Sequence, residues 1–325
     1  MGQNFAHCEK IILASVVHGV RWRRILIASD VPYERISMID YDSEQRLKII
    51  FSYTGTVLPR VLPYTLAMVL WSLALILFFE FTGIKFEMSS QAHSIVGVAL
   101  GLLLVFRTNT SYDRYWEGRK QLGALCIGAR NLMNQANAVI PEEEKEYRQQ
   151  IGMLIAAYMG AMRDDLRDGI TLKSMGKMTG QLHQRLNQHS NKLNGLLSML
   201  NVDLRLGVRK RWMHPSEFNP IVQSIADLQG ATHALRRIRY TPLPFAYVNQ
   251  LKVFMGIYFV TLPFVLIPQF GYMTLVIMAF FIYALVGIEE IGLEIEDPFG
   301  DDPNDLPIVP LTNGVIKDIQ DVLER

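Results

Sequence analysis

The chain has 325 residues and a formal net charge of +1, so its overall charge gives no reason to expect a nucleic-acid partner. Hydrophobic residues make up 50% of it, but they are gathered into two blocks, 57–106 and 248–288, with a strongly polar stretch between them. Cys8 and Cys126 lie far apart and outside any CxxC spacing. That pattern excludes a disulfide scaffold, leaves a structural zinc site without support, and reads as two inert thiols.

Residues 1–37 read as an N-terminal extension of undetermined structure. Ile11–Val17 is a short apolar run, but Arg21-Trp22-Arg23-Arg24 follows at once and no small-residue cleavage pattern appears, so it does not resemble a signal peptide. From residue 38 to 325 the chain reads as a single unit. Its first strong apolar segment, 61–81, is long enough to cross a hydrocarbon layer of about 30 Å as a helix. Tyr64 lies near its end, where amphipathic rings favour the interface, and Trp71 lies in its middle. The second, 93–106, is about fourteen residues long and too short for a span facing lipid alone, so it should be shielded by protein or border a water-filled path. Gly97 and Gly101 within it have the spacing of close helix packing.

The polar stretch 107–250 reads as helix throughout, with helices expected at 113–138, from Pro141 onward through Met162, at 178–200 and at 215–239. Pro141 followed by Glu142-Glu143-Glu144 has the composition of a helix start. Two more spans are expected at 254–267 and 273–288, joined by a tight turn at Pro268-Gln269-Phe270-Gly271-Tyr272. Four spans place both termini on one side. Basic residues decide which: Arg21, Arg23, Arg24, Arg35, Arg46, Lys48 and Arg60 precede the first span, and Arg107, Arg114, Arg119, Lys120 and Arg130 follow the second. The connection after span one carries only Lys85 and the last turn none, so both termini and the middle region are expected in the cytoplasm.

Catalysis finds no footing. His7, His18, His93, His183, His189, His214 and His233 are scattered, and no HExxH, phosphate-cradling loop or GxSxG elbow occurs.

Three stretches carry a specific resemblance: GLLLVFRTNTSYDRYWEGRKQLG at 101–123, YTPLPFAYVNQ at 240–250, and GIEEIGLEIEDPFGDDPNDLP at 287–307. In this order around four spans, the chain resembles the bestrophins, in particular the shorter bacterial, plant and fungal members. The resemblance implies an all-α fold in which four membrane helices per subunit continue into a cytoplasmic helical bundle. It also implies a homo-pentamer in the plasma (inner) membrane, in contact with lipid and conducting small monovalent ions. The second span would line the pore, with a neck at Val98, Leu102 and Phe106. From the residues alone, this i, i+4, i+8 row is either a stack of apolar rings that gates by dewetting or a face packed on span one or three.

Arg107, Arg114 and Arg119 either concentrate anions below the neck or anchor the helix to lipid headgroups and pair locally. Glu289–Asp305 holds eight carboxylates and no Lys or Arg. Asp301, Asp302 and Asp305 stand where animal bestrophins bind calcium, although Pro303 and Asn304 interrupt the acidic run; a solvated turn or helix-end anchor is the other reading. Glu290, Glu294 and Asp297 share a helix face and either pair with basic helices or line the pathway. A cytoplasmic constriction is implied near 225–228. Chloride-type anions are slightly favoured over cations, and a non-conducting membrane scaffold or receptor stays open as the second reading.

Overall fold

The two apolar blocks and the polar middle become helices in a computed structural model that describes residues 44, 52–53, 55–84, 88–167, 169–170 and 180–324. The N-terminal extension, Lys85 and the expected helix start at Met178 lie outside them. Among the described residues the elements are α1 (Leu58–Thr82), α2 (Ser90–Val139), α3 (Lys145–Asp165), α4 (Gly180–Asn187), α5 (Lys192–Arg209), α6 (Pro215–Tyr240), α7 (Phe245–Phe270), α8 (Met273–Glu296) and α9 (Ile308–Glu324).

Four of these, α1, α2, α7 and α8, are long and apolar enough to cross a membrane. The protein is an integral membrane protein. The second span is not an isolated short helix, for it forms the first part of the 50-residue α2. No Pro or Gly stands between Phe106 and the polar helix expected after it, so the backbone ladder runs on. Helix α7 extends to Phe270 through Pro263 and Pro268, so the expected five-residue turn shrinks to Gly271-Tyr272, with Gly271 at φ 51°. Pro breaks a helix less sharply within a membrane bundle, where neighbours satisfy the freed backbone groups.

The described residues fall into two compact units. One comprises those of Ser37–Arg119 and Arg237–Leu306, the other those of Lys120–Arg236 and Pro307–Arg325. In the membrane-spanning unit, Leu100 and Leu104 of α2 pack with Leu251, Met255, Phe259 and Leu262 of α7 and with Met278 and Ile282 of α8. Gly97 makes this approach possible, because a Cβ there would lie 2.7 Å from the Tyr258 hydroxyl. Gly101 has nothing within 4 Å of its Cβ position, so only one of the two glycines serves the close packing expected of both. His93 stacks on Tyr258 at 4.4 Å, and the Trp71 indole donates to the Val260 carbonyl at 3.1 Å, joining α1 to α7.

In the second unit, α3 is buried on nearly every side from Ile151 to Met162 and serves as the central helix. Buried Asp203 is fully engaged, with Arg185 at 2.8 Å and Gln150 at 2.8 Å. Two expected boundaries move. Helix α3 starts at Lys145 because Pro141 opens a turn that closes by Glu144 N–H to Pro141 O at 3.1 Å. The helix expected over 178–200 is two helices, since Asn191 caps α5 by accepting from Asn194 N–H at 3.1 Å. The terminal helix α9 was not anticipated, although Ile308, Leu311, Val315 and Ile319 carry its apolar spacing.

Candidate functional site: an outward apolar row and the charges behind it

Helix α2 has two apolar faces in its membrane part, and only one is used inside the subunit. His93, Leu100, Leu104 and Arg107 point inward and are buried, with Gly97 on the same side. Val98, Leu102 and Phe106 point the other way and are 74%, 55% and 56% exposed. Packing of this row on span one or three is therefore overturned: the chain's own core takes the opposite face. Ile95 and Val105 widen the uncovered strip. Below Phe106 the same side turns polar at Asn109 and Asp113.

The three arginines named from sequence are placed in three different ways. Arg107 is fully buried; its Nη2 donates to Glu296 Oε2 at 3.1 Å, and its Nε lies 3.9 Å from Glu289 Oε1. It presents no charge outward, which corrects the expectation for that residue: one helical step past Phe106 turns the side chain into the core. Arg114 donates Nε to Glu296 O, Nη1 to Thr241 O and Nη2 to Ile238 O, at 3.2, 2.6 and 2.7 Å. These bonds satisfy the carbonyl-rich ends of α6 and α8 and favour a cation there. Arg119 is exposed.

The acidic stretch after α8 folds back as a buckle. Phe299 is fully buried, and its ring lies against Gly118, where a Cβ would sit 3.2 Å from it. Leu306 N–H donates to Pro298 O at 3.0 Å, and Asn304 Nδ2 donates to Gly55 O at 3.0 Å and Glu294 Oε1 at 2.6 Å. Arg60 bridges Glu294 at 3.1 Å and Asp302 at 3.2 Å, while Arg239 meets Asp297 at 2.7 Å. Asp305 accepts from Asp302 N–H at 2.6 Å. Burial pushes its carboxyl up to about 7, with Asp302, Asp297 and Glu294 adding to the shift and the backbone hydrogen bond opposing it.

The sequence pattern of the bacterial and fungal bestrophins matches residues 38–321. The chain belongs to the bestrophin family. Among its relatives is the voltage-dependent anion channel-forming protein alr2987 of Nostoc sp., 30% identical over 281 residues that cover 85% of this chain and 91% of that protein. The protein of the same description named YneE, from Escherichia coli K12, is 29% identical over 286 residues, covering 87% and 93%. A bacterial bestrophin homologue from Klebsiella pneumoniae, solved by zinc phasing, shares the fold at TM-score 0.74 and 24% identity, over 80% of this chain and 97% of that one. A point variant of that homologue gives TM-score 0.76 over 82% and 100%.

In this bestrophin a calcium clasp at Asp301, Asp302 and Asp305 does not fit the side chains. Asp302 is turned to Arg60 and Asp305 to the backbone, and among the described residues no three His, Cys, Asp or Glu side chains gather to hold a metal. The constriction expected near 225–228 meets a similar difficulty, because Ile225 and Leu228 are buried and only Ala226 and Asp227 face outward there. Sequence reasoning missed Glu296, which binds Arg107 and Arg114 and also accepts from Leu243 N–H at 3.2 Å. It also missed Lys252, 3.2 Å from Glu289. Their signal was a basic residue in an apolar span facing carboxylates seven apart on another, since ions within membrane helices need partners.

Proposed function

We propose that this bestrophin is one subunit of a homo-pentameric channel for small monovalent ions, with anions of the chloride type preferred, and that Val98, Leu102 and Phe106 of five α2 helices form its neck. The observation that carries the reading is the uncovered apolar row on α2, more than half exposed at each of the three positions in a single chain. Five such rows around an axis make three stacked apolar rings, and a narrow apolar constriction closes by losing its water. The preference for anions has two supports. Relatives 29–30% identical over most of their length are described as anion channel-forming. Five of the eight carboxylates of α8 and the buckle that would favour cations, Glu289, Glu294, Glu296, Asp297 and Asp302, are paired with Arg60, Arg107, Arg239 and Lys252, whereas Arg114 binds carbonyls and Arg119 is exposed. Both termini lie in the cytoplasm on the basic-residue asymmetry.

Purified protein in planar bilayers should conduct, with a reversal potential under asymmetric NaCl that follows chloride. Leu102→Ala should raise the current at least several-fold by widening and wetting the middle ring. Native mass measurement in detergent should return five chains. Silence of both forms, or a monomer or dimer, overturns the reading in favour of a membrane scaffold.

A further inference from the structure

The neck needs more than apolar side chains; it needs α2 held at one rotation. A turn of the helix by a single residue position would swing the row by about 100° and aim other residues at the axis. Packing at Leu100, Leu104 and Gly97 and the Arg114 bonds to three carbonyls contribute to that hold, but neither lies directly at the lowest position of the row. A buried ion pair is directional. Arg107 follows Phe106 immediately, has no exposed surface, and makes its one hydrogen bond to Glu296 Oε2 at 3.1 Å. Glu296 is itself fixed from two other sides, by Leu243 N–H at the start of α7 and by Arg114 at its own carbonyl.

The second carboxylate makes the arrangement more than a simple tether. Glu289 lies seven residues before Glu296 on the same face of α8, is 3% exposed, and is also approached by Lys252 at 3.2 Å. Its Oε1, which is the atom that meets Lys252, lies 3.9 Å from the buried Arg107 Nε; Arg107 Nε and Nη1, and Ser111 Oγ one turn on, are buried without a hydrogen-bond partner among the described residues. A guanidinium carries five donors, and leaving several unused in the interior is costly. Closing the 3.9 Å gap by somewhat less than an ångström would make the second bond. The site thus sets two cations against two carboxylates, with Lys252 on Glu289 and Arg107 bonded to Glu296 and 3.9 Å from Glu289.

We propose that Arg107 is the positioning residue of the neck: its pair with Glu296 sets the rotation of α2. This rests on the channel reading above, and the two fail separately, because the test includes a readout that needs no current. Phe106→Cys, in a background with Cys8 and Cys126 replaced by Ser, reports the facing of the row by its rate of modification with a water-soluble thiol reagent. Adding Arg107→Gln, which removes the charge but keeps a polar side chain, should change that rate by about tenfold, the scale of a typical coupling between two sites. In bilayers Arg107→Gln should change open probability by a similar factor while leaving the reversal potential unmoved.

Unchanged modification rate and unchanged open probability in Arg107→Gln overturn the proposal. If Arg107→Gln does not assemble, the paired Arg107→Met/Glu296→Met variant is read in the same way, since replacing both members of a buried pair avoids stranding a charge. Wild-type behaviour of that pair, or its failure to assemble as well, reduces Arg107 to a purely structural role and also overturns it. A silent wild type with a tenfold change in modification rate would sink the channel reading and leave the positioning role standing.

Discussion

Phe299 and Asp305 show how much of the buckle's behaviour is set by single side chains. Phe299 is fully enclosed against Gly118, so Phe299→Ala leaves a cavity with nothing to fill it and should cost about 3 to 5 kcal/mol, read as a lowered unfolding midpoint in detergent. Asp305 introduces pH. Its carboxyl titrates at about 7 in the folded protein against an ordinary value of 3.8, so the folded state holds the proton more tightly than the unfolded one. Its contribution to stability is complete below the ordinary value and is lost as pH rises toward 7. Melting temperature should therefore fall between about pH 4 and about pH 7. Asp305→Asn, whose side-chain oxygen still accepts from Asp302 N–H, should flatten that fall and stabilise the protein at the alkaline end. An unchanged slope in Asp305→Asn would assign the pH dependence elsewhere.

At the scale of elements, α2 makes the sharpest demand on its neighbours. Gly97→Leu forces side-chain atoms against Tyr258, whose hydroxyl is 2.7 Å and whose ring is 3.3 Å from where even a Cβ would stand, and should cost about 1 to 3 kcal/mol with loss of the α2–α7 contact. Lower thermal stability and a weaker protomer yield would both report it. The four spans were legible in the sequence because hydropathy over about twenty residues depends little on tertiary context. The neck row was legible as a row, yet its direction was not: Leu100 and Leu104 are as apolar as Val98 and Leu102, and only packing chooses between the faces. The two readings of Arg107, concentrating anions below the neck or anchoring and pairing the helix, stayed level in the sequence for the same reason. The split between α4 and α5 turned on the Asn191 cap, a local hydrogen bond outweighed on paper by the apolar periodicity on either side. The buckle's pairings join residues more than two hundred positions apart, such as Arg60 with Asp302, and nothing local announces them.

For the molecule as a whole, the length of α2 has an electrical consequence. Fifty helical residues extend for about 75 Å, more than twice the roughly 30 Å of hydrocarbon in a bilayer. A membrane potential falls across the thin, poorly hydrated layer, not across the full helix, and is worth about 2.3 kcal/mol per elementary charge per 100 mV within it. Val98, Leu102 and Phe106 stand in the apolar first part of the helix, which on the proposed topology lies inside that drop, and Asp113 in the polar part, which on that topology lies beyond it. A charge placed at the neck should then make current rectify steeply, whereas Asp113→Lys should scale the current almost equally at both polarities. Equal rectification from Leu102→Lys and Asp113→Lys in bilayer recordings would contradict this. If α2 lines the pore as proposed, the conduit is long in distance but short in electrical distance, so its apolar third sets the driving force and its polar remainder sets only the local supply of ions.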